Sequence, residues 1–129
     1  VWTRPKARPN STVPLRFDLL QNTQMNHTVY YLPGHGGQLA TGLGQGLMDR
    51  GFQVAGRETR GDFRSLPFDD QVQVVMQDLQ DHFWHEQARV ICNSFGSYLF
   101  LHAQAQMPAY VGRVLLLSPI VGVSSFSVQ

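Results

Sequence analysis

The sequence contains little of what marks several common classes of protein. It has one cysteine, Cys92, so an internal disulfide is excluded. A single cysteine does not determine the cellular compartment, and the cytoplasm is the favoured expectation. The most apolar stretch, residues 114–123, is interrupted by Ser118, Pro119 and Gly122, and no apolar run reaches the roughly 18–20 residues that span a bilayer. The net charge of +1 gives no electrostatic basis for binding nucleic acid or an anionic membrane.

Two further absences concern the two ends of the chain. It begins with Val1 and has no charged-then-apolar leader, so we expect a processed chain or a fragment of a longer protein. Beyond residue 94 there is one histidine, His102, and there is no aspartate or glutamate. All nine acidic residues of the chain precede Ser94.

What is present is typical of a small folded domain. Hydrophobic residues make up 43% of the 129 residues and charged residues 15%, which fits one globular domain. Residues 1–27 are predicted to form an N-terminal arm with a short strand at 13–20, because their first part is rich in proline, arginine, serine and threonine. Residues 28–129 are predicted to form a single domain.

Strand and helix patterns alternate along this domain and are joined by short links. Strands are predicted at 28–32, 52–58, 88–92 and 113–117, the last with an extension to 121. Helices are predicted at 38–50, 68–83 and 96–106, and a loop at 61–67. This alternation predicts an α/β fold in which a parallel sheet is covered by helices on both faces, in three layers.

A serine follows the third predicted strand, in the run Cys92-Asn93-Ser94-Phe95-Gly96. Small residues flank it, as they must where a strand and a helix meet in a tight turn that exposes the serine side chain. The amide of Phe95 would then be free to donate to an oxyanion, because the first N–H groups of a helix have no partner within it. The alternative is that Ser94 or Asn93 caps the helix.

A glycine-rich stretch, Pro33-Gly34-His35-Gly36-Gly37-Gln38, follows the first predicted parallel strand. Its amides could point toward an anion, although a simple flexible turn would show the same pattern. Gly34 and Gly36, together with Glu58 at the end of the next strand, also suggest a dinucleotide-binding loop. Leu39 occupies the third glycine position of that motif, so a nucleotide-binding domain is the less favoured alternative.

These two turns, in this order, resemble those of the α/β-hydrolase family. The resemblance covers residues 28–122 and corresponds to the third through sixth strands, the N-terminal half of that fold. It implies that Ser94 is the nucleophile and that the amides of Phe95 and Gly37, with Gln38 as the next candidate, form the oxyanion hole. It also implies that His35 with Gly36 supports the loop by hydrogen bonding. Cys92 and Gly96 would then allow the strand and the helix to pack closely.

The function implied by this resemblance is hydrolysis of an ester, thioester or amide of a small-molecule acyl substrate through an acyl-enzyme, without a cofactor. The catalytic triad is incomplete, since His102 lies about 12 Å along the helix that Ser94 begins. We expect the acid and the histidine beyond Gln129, and the alternative is a non-catalytic binding module with a hydrolase-like sheet. The edge strand at Arg113–Val121 is expected to pair with a missing segment or with another chain.

A metal site is not expected. His82 and His85 stand three residues apart on the predicted helix, but no third ligand has a recognisable spacing.

Overall fold

The computed structural model describes residues 16–17 and 27–118 of the chain. Its helices and strands are, in order, β1 (Arg16–Phe17), β2 (Thr28–Leu32), α1 (Gly42–Asp49), β3 (Gln53–Gly56), α2 (Gly61–Ser65), α3 (Phe68–His82), β4 (Arg89–Asn93), α4 (Phe95–Gln104) and β5 (Arg113–Leu117). The strands predicted at 28–32 and 113–117 are confirmed at the same residues. The ends of the predicted strand at 13–20 lie outside the described residues. The extension of the last strand to 121 stops at its first residue, since Ser118 has a φ of 45°, and residues 119–121 lie outside the described residues.

The five described strands form one sheet in the order β1-β3-β2-β4-β5. The four strands from β2 to β5 run parallel, with Tyr30 beside Ala55 on one side and beside Val90 on the other. Strand β1 adds an antiparallel edge next to β3. The predicted parallel α/β sheet is therefore confirmed, and an antiparallel strand extends it.

Alternate residues of the strands separate the two faces of this sheet. Tyr30, Leu32 and Val90 pack in the large core cluster with residues of α3 and α4. Tyr31 and Val54 pack in a smaller cluster with side chains of α1. Helices thus cover both faces, as a three-layer α/β fold requires.

Helix α3 forms where the apolar spacing predicts an amphipathic helix. Val72, Val75, Met76 and Leu79 are buried on one face, whereas Asp69 lies exposed in the first turn, where a negative charge suits the helix dipole. Its apolar face packs against α4. The two helices support the sheet beneath the carboxyl ends of β2 and β4.

The strand predicted at 52–58 is shorter in the structure, at Gln53–Gly56, and two further predicted elements differ from the structure. Helix α1 begins at Gly42 instead of residue 38, because the amide of Leu39 donates to a side chain from another part of the chain. The predicted loop at 61–67 is wrong, since residues 61–65 form the short helix α2, which the buried ring of Phe63 anchors to the core. Within the part of the chain that is described, no helix is long and apolar enough to cross a membrane.

Candidate active site

The turn between β4 and α4 holds Ser94 in an unusual backbone conformation. Its φ is 53° and its ψ is −114°, a combination that a residue with a side chain adopts only under strain. The Ser94 N–H donates to the carbonyl oxygen of Leu117 at 2.9 Å, and the Ser94 carbonyl accepts from the N–H groups of Ser97 and Tyr98. Hydrogen bonds on both sides therefore hold the strained residue in place.

The Ser94 side chain does not cap the helix that follows. Its hydroxyl makes no capping hydrogen bond, so the interpretation of Ser94 as a simple helix cap is wrong. The side chain is half-buried and faces the glycine-rich loop: a Cβ atom built on Gly34 would lie 3.5 Å from Ser94 Cβ and 3.9 Å from Ser94 Oγ. The Ser94 side chain therefore lies close to the beginning of that loop.

The small residues Cys92 and Gly96, on either side of Ser94, lie where neighbouring atoms leave little room for a larger side chain. A Cβ atom at Gly96 would overlap the carbonyl oxygen of Leu32 at the end of β2. Cys92 is fully buried beneath the turn, and burial raises the pKa of its thiol. The thiol therefore remains protonated near neutral pH and contributes packing to the turn, with no thiolate available as a nucleophile.

Thr59, which follows β3, holds the glycine-rich loop. The loop N–H of Gly36 donates to the Thr59 carbonyl at 2.9 Å, and the Thr59 N–H donates to the Gly37 carbonyl at 3.2 Å. The Thr59 hydroxyl accepts from the Gly37 N–H at 2.9 Å and donates to the Gly34 carbonyl. Sequence analysis did not identify this residue as a loop support. The available signal was its position directly after the strand next to β2.

Glu58 holds the other end of the same loop. Its carboxylate accepts a hydrogen bond from the Leu39 N–H at 2.9 Å. In a dinucleotide-binding domain, the acidic residue at this position would bond to a ribose. Here it bonds to the protein's own backbone, which weighs against the nucleotide-binding alternative.

The three predicted oxyanion donors are not equivalent in the structure. The Gly37 N–H is already engaged, since it donates to the Gly34 carbonyl and to the Thr59 hydroxyl, both at 2.9 Å. Among the described residues, the N–H groups of Phe95 and Gln38 have no hydrogen-bond partner. The amide predicted first in the glycine-rich loop is therefore occupied, and the next candidate, Gln38, is open.

His35 and Gly36 shape the exposed part of the loop. The His35 ring stacks on the ring of Phe95, with centroids 3.9 Å apart and planes 21° from parallel. The described residues give this ring no hydrogen bond, so stacking replaces the hydrogen bonding expected of it. Gly36 has a φ of 72°, a value that favours glycine.

The structure brings no general base to Ser94 from the part of the chain that it describes. The ring of His102 lies against Tyr98, at a centroid distance of 4.4 Å, and against Phe68, at 5.1 Å. No histidine or carboxylate in residues 27–118 is hydrogen-bonded to the Ser94 hydroxyl. The same residues contain no group of three or more side chains suited to hold a metal ion.

A buried ion pair fixes the chain just before Glu58 and Thr59. The Arg57 guanidinium donates two hydrogen bonds of 2.7 Å to the Asp78 carboxylate on α3, and the Tyr30 hydroxyl donates a third at the same distance. Burial raises the pKa of Tyr30, and the negative charge of Asp78 raises it further. Burial lowers the pKa of Arg57, but the hydrogen bonds to Asp78 outweigh that effect, so the pKa of Arg57 is raised. This network joins β2, α3 and the segment that holds the glycine-rich loop.

Comparisons of the chain with protein-family models, with curated proteins and with solved structures gave no match. The functional interpretation therefore depends on the geometry around Ser94. That geometry combines a strained serine at a strand–helix turn, a facing loop rich in glycine and two open amides.

Proposed function

We propose that this chain forms part of a serine hydrolase that cleaves an ester, thioester or amide through an acyl-enzyme on Ser94. The observation that carries the proposal is the backbone of Ser94, which is held at positive φ while its side chain lies close to Gly34 of the glycine-rich loop. Strain of this kind persists only where the surrounding structure enforces it, and it is concentrated at functional sites. A helix cap would need no such conformation.

In the proposed reaction, a bond forms between Ser94 Oγ and the carbonyl carbon of the substrate. The bond from that carbon to the leaving oxygen, sulfur or nitrogen breaks, and a general base carries the hydroxyl proton to the leaving group. Water then attacks the acyl-enzyme, which releases the acid and restores the hydroxyl. The amides of Phe95 and Gln38 are the proposed donors to the oxyanion, since both are open among the described residues.

The general base and its orienting carboxylate are proposed to come from chain beyond Gln129 or from a second polypeptide. After Ser94, the sequence offers His102 alone, and the ring of His102 contacts Tyr98 and Phe68. A serine hydroxyl without a base is a weak nucleophile at neutral pH. Activity is therefore expected from the full polypeptide in which these groups are present.

Labelling with a fluorophosphonate probe tests this proposal. The full polypeptide is expected to be labelled covalently, and Ser94→Ala is expected to abolish labelling, because only an activated serine hydroxyl reacts readily with such a probe. Ser65→Ala removes an exposed serine hydroxyl on α2 and serves as the matched control. Mass spectrometry of the labelled peptide identifies the modified residue.

The Ser65→Ala protein is expected to be labelled like the wild type. Labelling that persists in Ser94→Ala would contradict the proposal, as would a folded full polypeptide that no probe modifies. The second outcome would favour a binding module with a hydrolase-like sheet. That alternative is supported by the fact that no described histidine or carboxylate is hydrogen-bonded to the Ser94 hydroxyl.

We also propose that β5 pairs with a further segment or with another chain. It is the last strand of the described sheet, and Val114 and Leu115 remain 40% and 53% exposed. An apolar groove of about 230 Å³ adjoins it, lined in part by Leu47 and Ile91. Open apolar edges promote association, so the 129-residue chain is expected to self-associate in sedimentation velocity, and Leu115→Lys is expected to reduce that association. A clean monomer at high concentration would contradict this.

A further inference from the structure

Two arginines lie side by side at the edge of the sheet opposite Ser94. Arg89 begins β4 and Arg113 begins β5, and the two residues are paired in register. Neighbouring strands lie about 4.8 Å apart, and residues in register on parallel strands point to the same face of the sheet. The two guanidinium groups therefore extend from adjacent positions on one face.

A polar cavity of about 380 Å³ adjoins these two arginines. It is lined by His27, Glu86, Gln87, Arg89 and Arg113. His27 directly precedes β2, and Glu86 and Gln87 precede β4, so the lining comes from the amino ends of three adjacent strands. All five residues are exposed, so the cavity is open to solvent.

The charges around this cavity are not balanced. Two guanidinium groups stand against the single carboxylate of Glu86, which leaves an excess of positive charge even without a charge on His27. Like charges held on neighbouring strands repel each other. The Arg113 guanidinium has no hydrogen bond or ion pair among the described residues. An anion in the cavity would offset the repulsion.

Arg89 is held in position by an aromatic ring. Its Cζ atom lies 5.7 Å from the centroid of the Phe52 ring, a contact that favours a cation over the ring face. The contact restricts the Arg89 side chain without neutralising its charge. One of the two guanidinium groups is therefore partly ordered before any anion binds.

The donors that line the cavity suit a phosphate group better than a carboxylate. Each guanidinium presents paired N–H groups that match two oxygens of an anion, and the His27 ring can add a further donor. One guanidinium is enough to engage both oxygens of a carboxylate. A phosphate monoester has three free oxygens and close to two negative charges near neutral pH, so it can use all three side chains.

We propose that Arg89, Arg113 and His27 bind a phosphate group, either as the free ion or in a small phosphorylated molecule. The site lies at the amino end of β4, roughly 16 Å along the strand from Ser94. It uses none of the residues around the serine. The phosphate-site proposal is therefore independent of the proposed hydrolase activity.

Isothermal titration calorimetry of the 129-residue chain with inorganic phosphate and with glycerol 3-phosphate tests the proposal. Saturable binding that weakens with added sodium chloride is expected. Arg113→Gln is expected to weaken it at least about fivefold, because a charged donor pair is lost. Arg113→Lys keeps the charge but loses the paired donors, so a smaller loss of about twofold to threefold is expected. The probe that binds more tightly shows whether the ligand is a phosphate monoester or the free ion.

Arg64→Gln is the matched control, because Arg64 is an exposed arginine on α2, after the carboxyl end of β3. It removes the same charge and is expected to leave the affinity unchanged. Equal weakening by Arg64→Gln and Arg113→Gln would show a response to net charge alone and would overturn the proposal.

His27→Ala provides a second variant that leaves both arginines in place. It is expected to weaken phosphate binding about twofold or more through the loss of one donor, with the folded state of each variant checked by circular dichroism. Absence of saturable binding of both phosphate probes would overturn the proposal, and so would acetate that binds as tightly as phosphate.

Discussion

The two turns that meet at Ser94 depend on their neighbours in different ways. The turn at residues 92–96 is closely packed as well as hydrogen-bonded, because Gly96 sits directly against Leu32 and the thiol of Cys92 is buried beneath the turn. The glycine-rich loop at residues 33–38 is held by hydrogen bonds to Thr59. The turn therefore has no room for an added atom at Gly96, and the loop depends on hydrogen bonds with Thr59 and Glu58.

This difference determines what each turn can tolerate. A packed turn is sensitive to any added volume, since its neighbours are backbone atoms that cannot move aside cheaply. A hydrogen-bonded loop is sensitive to the loss of a partner, because a buried polar group without a hydrogen bond carries an uncompensated desolvation cost. Substitutions of matched size can separate the two effects.

The largest effect is expected from Gly96→Ala in the packed turn. The added Cβ would overlap the Leu32 carbonyl oxygen, so α4 or β2 must shift. We expect a loss of about 3 kcal/mol or more in the free energy of unfolding, measured in urea. Labelling of Ser94 should fall as well, because the same shift moves the hydroxyl.

Gly46→Ala provides the control for this substitution. Gly46 also lies in a helix, but the nearest atom to an added Cβ is Arg50 Nη1 at 3.8 Å, at the end of a flexible side chain. The substitution is expected to stabilise the protein by up to about 1 kcal/mol, since alanine favours helix. Equal effects of the two substitutions would show that packing does not hold the turn.

A smaller effect is expected from Thr59→Val, which keeps the volume and removes the hydroxyl. The Gly34 carbonyl and the Gly37 N–H then lose a partner, and we expect a loss of about 1–3 kcal/mol in urea unfolding. Thr59→Ser retains the hydroxyl and is expected to recover most of that loss. If Thr59→Ser were as unstable as Thr59→Val, the methyl group would matter and the hydrogen bonds would not.

The smallest effect concerns the alkaline stability of the packed turn. Burial raises the pKa of Cys92 above its unfolded value of about 8.5, so the unfolded chain releases a proton that the folded chain keeps. The stability that the protonated Cys92 thiol contributes is fully present below the unfolded pKa of about 8.5 and declines as the pH rises above that value. Between pH 7.5 and 9.5 the wild type should lose about 1 kcal/mol more than Cys92→Ala does.

Thr59→Val serves as the control here, because it changes the hydrogen-bonded loop and leaves the thiol in place. Its stability is expected to decline over this pH range as steeply as that of the wild type. A Cys92→Ala protein with the wild-type dependence on pH would show that the thiol is not the group responsible.

The sequence predicts the packed turn better than the loop. The small residues Cys92 and Gly96 stand beside Ser94 in the chain, so the requirement for space is visible locally. The hydrogen-bond partners of the glycine-rich loop are residues 58 and 59, which follow a different strand. No local sequence pattern in the loop predicts these partners. The engagement of the Gly37 amide by Thr59 could not be predicted without knowing which strands are neighbours.

The fold shows the same contrast between local and distant information. The strand at Thr28–Leu32 and the helix at Phe68–His82 follow from local apolar patterns and were predicted to within a residue. A strand at 13–20 was predicted, but the antiparallel pairing of Arg16–Phe17 depends on β3, and the short helix α2 depends on the burial of Phe63.

The hydrogen bond from the Ser94 N–H to the Leu117 carbonyl has a consequence for synthesis of the protein. Ser94 is synthesised 19 residues before Arg113, where β5 begins. Until that strand docks, nothing on its side opposes relaxation of the serine backbone to an ordinary turn. The strained backbone of Ser94 is therefore expected to form only when β5 docks.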